Sequence, residues 1–219
     1  MIEQTHGYPI ALNVKQLKCV VVGTGKVGER KALRLIRAGA TPVLVGPRAT
    51  RRIRELAGSG EVRLIEDEYQ PELLEGAALV FAATDDATLN ARIEVDARSA
   101  GALINVVDNP ARSDFSNVSD VTTGSVRITV STGGKSPAFA KAFRKRLQAA
   151  LPVDLDKRLG NFERWRQEIE SHFDNVEDRQ RTWKELERRD LYAMLDRDGS
   201  DAADRLVAEC LRDVMADRA

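Results

Sequence analysis

Cysteine and histidine are scarce in this sequence, and its formal net charge is zero. The chain of 219 residues has two cysteines, two histidines and 34 basic against 34 acidic residues. Two isolated cysteines form no disulfide framework and no cysteine-based metal motif, so we expect a reducing compartment and a cytoplasmic protein. Without net charge, no general field attracts the chain to nucleic acid or to a membrane surface. An acidic ligand must therefore be bound by a local basic patch.

Long apolar runs and a leader pattern are missing as well. No run approaches the ~20 apolar residues of a membrane span. Residues 1–10 lack a basic start followed by an apolar segment, so we expect no leader and no membrane partner. His6 and His172 stand far apart without flanking ligand residues, so we expect no histidine-based metal site.

The strongest positive signal is a glycine motif directly after an apolar run. Cys19–Val22 predicts a buried strand, and the spacing Gly-x-Gly-x-x-Gly follows at once. This order is typical of a dinucleotide-binding turn, where a pyrophosphate accepts hydrogen bonds from backbone N–H groups at a helix start. The alternative is a glycine-rich turn without a ligand. The predicted cofactor-binding residues of the turn are Gly23, Gly25, Lys26, Val27 and Gly28.

Apolar runs alternate with helical patterns over about the first hundred residues, which is typical of a parallel sheet covered by helices. The predicted strands are Cys19–Val22, Thr41–Gly46, Val62–Ile65, Leu79–Ala83 and Ala102–Val107. The predicted fold class is α/β, with a Rossmann-like parallel sheet, then a small α+β dimerisation region and an α-helical C-terminal domain. The predicted boundaries are 1–112, 113–151 and 152–219.

The pattern changes in the second region. Ser125–Ser131 alternates apolar and polar residues, as in a half-exposed strand. Ser136 and Pro137 are typical of a helix start, and the helix they introduce carries Phe139 and Phe143 on one face. Apolar residues at helical spacing then predict three helices over residues 154–219.

The acidic residue that usually binds the ribose hydroxyls is missing after the second strand. The sequence there reads Val45-Gly46-Pro47-Arg48. Backbone groups of Pro47 and Arg48 would then hold the ribose, and Arg48 is compatible with a 2′-phosphate. We predict NAD as the cofactor and keep NADP as the alternative.

Polar side chains follow two later strands at their carboxyl ends, where open α/β sheets bind ligands. Thr84 and Asp85 follow the fourth strand. Asn105 and Asp108 close the fifth, so all four should line this edge. Asp108 is the carboxylate best positioned for proton transfer, and its alternative role is an Asx turn before the next proline. Asp85-Asp86 is more typical of a cap at the start of the next helix, which is the alternative to a ligand role.

Further motifs occur in order along the chain. They are Tyr8-Pro9-Ile10, Gly23 to Ala32, Ala82-Ala83-Thr84-Asp85-Asp86, Asn90, Asn105-Val106-Val107-Asp108 and Ser131 to Ala138. Together they resemble the precorrin-2 dehydrogenase / sirohydrochlorin ferrochelatase family, which also forms the N-terminal module of siroheme synthase. The resemblance covers about residues 8–150, and Arg179 to Trp183 is more loosely similar to the siroheme synthase helical domain.

The resemblance implies an enzyme that oxidises precorrin-2 to sirohydrochlorin with NAD in siroheme biosynthesis. It implies that Asp108 is the essential aspartate, that Thr132 with Ser131 lies close to the macrocycle, and that the second region forms a homodimer. No methyltransferase sequence follows the tail, so we expect a stand-alone enzyme. One alternative is a bifunctional dehydrogenase and ferrochelatase, with Fe²⁺ as a substrate. Another is a nucleotide-sensing regulatory domain, which needs no catalytic carboxylate.

The substrate class can be compared with the distribution of charge. Precorrin-2 is a polycarboxylate, so a neutral protein must concentrate positive charge around it. Basic residues cluster in the second region at Arg112, Arg127, Lys135, Lys141, Arg144, Lys145 and Arg146. The alternative is a solvated basic helix face. The predicted substrate-binding residues are Asn105, Ser131, Thr132 and Lys135.

Overall fold

Apolar strands and amphipathic helices of the N-terminal half form a parallel sheet in the computed structural model, which describes residues 7–217. The strands are β1 Lys18–Val22, β2 Val43–Val45, β3 Arg63–Ile65, β4 Ala77–Ala82 and β5 Leu103–Val106. The helices are α1 Lys26–Arg37, α2 Arg51–Gly58 and α3 Ala87–Ser99. The predicted Rossmann-like sheet is confirmed. His6 lies outside the described residues.

Both faces of the sheet are buried, which explains why the central strands are continuous apolar runs. In β1, Cys19 and Val21 belong to one core cluster, while Val20 and Val22 belong to the other. Residues of α1 and α2 complete the first cluster, and residues of α3 complete the second. Alternate residues of one strand therefore anchor helices on opposite faces.

The strand order is β3-β2-β1-β4-β5, with all neighbours parallel. The chain proceeds from β1 toward β3 on one side and returns to β4 on the other side of β1. This reversal creates a crevice outside the carboxyl ends of β1 and β4, where such sheets bind ligands. The second strand is shorter than the predicted Thr41–Gly46 and begins after Pro42, which has no N–H for the ladder.

The described chain divides into two compact units. The first contains the residues up to Val118 together with Thr132–Ser136, and the second contains Ser119–Ser131 and the chain from Pro137 onward. The second unit has strands β6 Ser119–Thr123 and β7 Val126–Val130, and helices α4 Pro137–Ala150, α5 Leu155–His172, α6 Val176–Arg188, α7 Leu191–Asp198 and α8 Ser200–Ala216. The strands β6 and β7 are antiparallel. The strand predicted over Ser125–Ser131 is confirmed as β7, and its partner β6 was not predicted.

The described part of the tail, up to residue 217, has four helices, so the prediction of three is wrong. The apolar spacing that predicts a single middle helix is interrupted at Asp190, which adopts a left-handed conformation with φ 51°. The Asp190 carboxylate accepts a hydrogen bond from the backbone N–H of Ala193 at 3.2 Å and thereby begins α7. The periodicity of the apolar residues continues across this break, so it did not reveal the interruption.

An aromatic core holds the tail helices together. Trp165 and Phe173 are fully buried with Leu186, and the Trp165 indole N–H donates to Asp204 at 2.6 Å. Asp156 of α5 accepts from the backbone N–H of Ser125, which attaches the β6–β7 turn to the same unit. Within residues 7–217, no helix combines the length and the apolar character that a membrane span requires.

The start of α3 gives a test of local stability. The Asp86 carboxylate accepts hydrogen bonds from the N–H groups of Thr88 and Leu89, at 2.8 and 3.1 Å, so the capping alternative is confirmed for this residue. Asp86→Ala should lower the free energy of unfolding by about 1 kcal/mol, the usual cost of a lost cap. Urea titration of the purified protein measures this change. Asp85→Ala is the matched control, because no residue in 7–217 donates a hydrogen bond to that carboxylate, and equal effects of the two changes would contradict the assignment.

Candidate active site

The glycine turn after β1 has a different constraint at each glycine. Gly23 has φ +113°, and a Cβ there would overlap the carbonyl group of Ala83 at the end of β4. A Cβ at Gly28 would overlap the carbonyl of Gly23. At Gly25, by contrast, a Cβ would meet no atom within 4 Å. The protein itself therefore requires the first and third glycines, whereas the second faces open space that a ligand can enter.

Helix α1 begins at this open position. Gly25 is the N-cap in extended conformation and offers no side-chain cap to the helix. The first hydrogen bond of the helix runs from the Glu29 N–H to the Gly25 carbonyl at 2.9 Å, so the N–H groups of Lys26, Val27 and Gly28 precede the helical ladder. Such N–H groups at the positive end of a helix suit a phosphate. The residues present therefore fit the pyrophosphate of a dinucleotide.

Hydrogen bonds fasten the turn to the loop after β2. Thr24 is buried, and its hydroxyl donates to the carbonyl of Arg48 at 2.8 Å. The Thr50 N–H donates back to the carbonyl of Thr24 at 3.2 Å, and the Thr50 hydroxyl donates to Glu29 at 2.6 Å. Pro47 and Arg48 are both exposed beside the turn. Their assignment to the ribose stays a prediction.

The loop after β4 is held by a side chain whose role was not predicted. Asn90 is buried, its carboxamide N–H donates to the carbonyl of Thr84 at 3.0 Å, and its oxygen accepts from the Thr84 hydroxyl at 2.8 Å. These bonds fix Thr84 beside the carbonyl that contacts Gly23. Asp85 is exposed, and both residues stay predicted cofactor ligands.

At the end of β5, Asn105 is buried, and both its carboxamide oxygen and its carboxamide nitrogen are hydrogen-bonded. Its carboxamide oxygen accepts from the Lys31 ammonium at 2.9 Å, and its N–H donates to the carbonyl of Phe115 at 2.9 Å. The neighbouring Asp114 pairs with Ile104 of β5 through its backbone and its carboxylate, which holds Phe115 beside the strand. The sequence motifs contained Lys31 but did not indicate this contact with Asn105.

Asp108 differs from the other polar residues of this edge. It is exposed and adopts a left-handed conformation with φ 60°. Within residues 7–217 its carboxylate accepts no hydrogen bond, so the hydrogen bond of the alternative Asx turn is not formed. Backbone hydrogen bonds from Ala83 to Val22 and from Val107 to Ala82 set the ends of β1, β4 and β5 side by side. Asp108 therefore stands on the same sheet edge as the glycine turn.

The predicted substrate residues before α4 form a turn. The Thr132 hydroxyl accepts from the N–H of Ser136 at 3.2 Å, and the Thr132 carbonyl accepts from the N–H of Lys135 at 3.1 Å. Lys135 and Ser131 are exposed. All three stay predicted substrate residues.

The predicted basic cluster is partly engaged by acidic partners. Arg112 pairs with Glu94, and Arg127 lies 3.9 Å from an oxygen of Asp120. In the described part of the chain no acidic partner lies within ion-pair distance of Lys141, Lys145 and Arg146, which are exposed on α4. Within the predicted cluster, α4 therefore carries three exposed basic side chains without an acidic partner among the described residues.

Among the described residues, the two cysteines and His172 stand apart from one another and form no reactive cluster. Cys19 and Cys210 are free and buried, and burial raises the pKa of both thiols. The ring of His172 is hydrogen-bonded to the carbonyl of Glu168 at 2.8 Å. Over residues 7–217, no three His, Cys, Asp or Glu side chains gather as metal ligands.

Gly25→Val tests the turn directly. The new side chain would enter the space open to the pyrophosphate, so we expect the protein to fold and to lose dinucleotide binding. Isothermal titration calorimetry with NAD⁺ measures the loss, and circular dichroism measures the fold. Gly58→Val is the matched control, because a Cβ at Gly58 also meets no atom within 4 Å. Unchanged affinity in a folded Gly25→Val protein would contradict the site.

Comparison with known proteins agrees with this geometry. Residues 10–119 match the family described as "Putative NAD(P)-binding", and residues 124–150 match the sirohaem biosynthesis protein central domain. Siroheme synthase 2 of Yersinia pestis bv. Antiqua (strain Nepal516) is 36% identical over 179 residues, which are 82% of this chain and 37% of that protein. Siroheme synthase of Chromobacterium violaceum is 34% identical over 178 residues, 81% of this chain and 38% of that protein.

The chain therefore spans less than two-fifths of the curated relatives it matches. Among solved structures, SirC, a precorrin-2 dehydrogenase, superimposes with a TM-score of 0.73 at 17% identity, covering 94% of this chain and 99% of that one. This likeness confirms the fold. The first family match alone covers half of the chain, and the second continues it in order. The chain belongs to the family described as putative NAD(P)-binding, and its central segment matches the sirohaem biosynthesis central domain, in agreement with the resemblance of its motifs.

Proposed function

We propose that the chain catalyses the NAD-dependent oxidation of precorrin-2 to sirohydrochlorin. The observation that carries this proposal is the exposed Asp108 carboxylate, which has no hydrogen-bond donor in residues 7–217 and shares a sheet edge with the glycine turn. The family and the names of the relatives, siroheme synthase and precorrin-2 dehydrogenase, support the same substrate. Two free buried thiols are consistent with the cytoplasm, where we propose that the protein acts.

The oxidation removes two hydrogens from the substrate, one as a hydride and one as a proton. The bound dinucleotide supplies the hydride acceptor. The protein must supply the proton acceptor, and a carboxylate that accepts no other hydrogen bond is available for it. The hydrogen bond from the Asn105 carboxamide to the carbonyl of Phe115 holds the end of β5 in place. Asp108 therefore acts as the general base in this proposal.

The choice between NAD and NADP depends on the loop after β2. No carboxylate follows β2 directly, and the exposed Arg48 is the nearest charged side chain in sequence. We propose NAD as the cofactor. Parallel titrations with NAD⁺ and NADP⁺ distinguish the two, because a tighter NADP⁺ complex would assign Arg48 to a 2′-phosphate.

Ferrochelation is a second candidate activity, which the relatives named siroheme synthase favour. In that reaction Fe²⁺ is a substrate, and the pyrrole protons must leave as the metal enters, so Asp108 would serve again as proton acceptor. A nucleotide-sensing domain, by contrast, needs no free carboxylate at this edge. The hydrogen-bonding state of Asp108 therefore favours an enzyme.

We also propose a homodimer formed through residues 115–151. On α4, Phe139 and Phe143 are 59% and 41% exposed, and their rings stack at 5.7 Å. Two large adjacent apolar rings in water favour association, and two-fold pairing is the commonest form among soluble proteins. The α4 face is therefore the proposed centre of the interface.

Asp108→Asn tests the catalytic role. Asparagine keeps the shape and loses the basicity, so we expect the variant to fold and to bind NAD⁺ like the parent while turnover falls by at least about 10²-fold. Anaerobic incubation with precorrin-2 and NAD⁺, followed by the absorbance of NADH and sirohydrochlorin, measures the loss. A parallel series with Fe²⁺ reports siroheme formation.

The control for this experiment is Glu68→Gln, which neutralises an exposed carboxylate in the loop after β3. It should retain parental turnover. Near-parental turnover in Asp108→Asn would show that Asp108 only forms a turn and that another group accepts the proton.

Phe143→Asp tests the interface, because a charge at the stacked pair opposes its burial in a dimer. We expect a dimer of the parent protein and a monomer of the variant at micromolar concentration, measured by light scattering. Val176→Asp is the control, since Val176 is also exposed but lies in the tail outside residues 115–151. A monomeric parent would contradict the proposed dimer.

A further inference from the structure

Lys31 connects the helix of the glycine turn to the end of β5. It lies on α1 and is half-buried, and its ammonium donates to the carboxamide oxygen of Asn105 at 2.9 Å. The same ammonium lies 5.3 Å from the centroid of the Phe81 ring on β4. A lysine at a protein surface would instead extend its charge into water. This side chain is directed to the sheet edge that carries Asp108.

The contact determines the orientation of Asn105. Because Lys31 can only donate, the carboxamide oxygen must face it, and the amide N–H must face the carbonyl of Phe115. Phe115 in turn packs edge-on against Phe81, with ring centroids 5.2 Å apart. Lys31, Asn105, Phe115 and Phe81 thus form one closed set of contacts at the end of β5, in which Phe115 takes part through its carbonyl and its ring.

The charges around Lys31 oppose one another. Burial lowers its pKa most, and Arg30 and Arg34 on the same helix lower it further. Asp108, after β5, raises it. The result is a pKa of about 8, so the ammonium loses its charge as the pH rises through that value. The elements packed against Lys31 also contribute the neutral groups Phe81, Asn105 and the Phe115 carbonyl.

We propose that Lys31 is a positioning residue for the proposed oxidation, which holds Asn105 in one orientation and keeps a positive charge at the sheet edge that carries Asp108. The inference rests on the proposed function. The charge on Lys31 should therefore be needed for the chemical step and not for the binding of the dinucleotide. The glycine turn that binds the dinucleotide lies at the start of α1, whereas Lys31 lies in the second turn of that helix. No proton is transferred to or from Lys31 in each turnover.

The test compares the parent with Lys31→Met, which keeps the length and removes the charge, and Lys31→Arg, which keeps the charge at high pH. For Lys31→Met we expect kcat for precorrin-2 oxidation to fall by about 10²-fold, the usual cost of a misplaced active group. The parent should lose activity as the pH rises through about 8. Lys31→Arg should retain part of the activity without this alkaline fall.

Two measurements separate positioning from a general structural role. The Kd for NAD⁺ by calorimetry, and the Kd for sirohydrochlorin by absorbance with cofactor-free protein, should stay close to parental in Lys31→Met. Arg37→Met is the control on the same helix, since Arg37 is exposed at its last turn. It should match the parent in kcat, in affinity and in pH profile.

The outcomes are distinguishable. If the parent turns over precorrin-2 and Lys31→Met does so equally well, the inference fails while the proposed function stands. If Lys31→Met loses NAD⁺ binding together with turnover, or if Lys31→Arg keeps the alkaline fall, the positioning role is overturned. If the parent shows no turnover in anaerobic assays, the proposed function fails and the inference fails with it.

Discussion

The close approach of Gly23 to the carbonyl group of Ala83 is the constraint on which the site depends. It joins the end of β1 to the end of β4, which are the two strands between which the chain reverses direction in the sheet. Because no side chain fits between them, α1 can begin immediately beyond the turn, with its first N–H groups facing open space at Gly25. The hydrogen bonds of Thr24 and Asn90 then fix the loops on either side of this junction.

Local signals predicted the parts of this arrangement that local chemistry determines. The glycine spacing and the five apolar runs identified the turn and the sheet, because steric limits and burial act on consecutive residues. The contact between Lys31 and Asn105 joins residues 74 positions apart, and no local pattern reports it. The short strand β6 was missed because it is mostly polar, and the break at Asp190 was missed because apolar spacing continues across it.

The candidate site also shows how two similar carboxylates acquire different tasks. Asp86 is committed to two backbone N–H groups at the start of α3. Asp108 is exposed, has a left-handed backbone and accepts no hydrogen bond from residues 7–217. Aspartate tolerates this conformation better than most residues. The first carboxylate stabilises the fold, as the sequence predicts for Asp86, whereas the second is available to a ligand.

In the proposed function, this sheet edge oxidises a polycarboxylate tetrapyrrole with a bound dinucleotide. The most direct measurement is an anaerobic incubation of the purified protein with precorrin-2 and NAD⁺, in which NADH and sirohydrochlorin are quantified together. We expect the two products to appear in equal amounts and only when the protein is present. Dinucleotide binding without formation of either product would contradict it and would favour a nucleotide sensor.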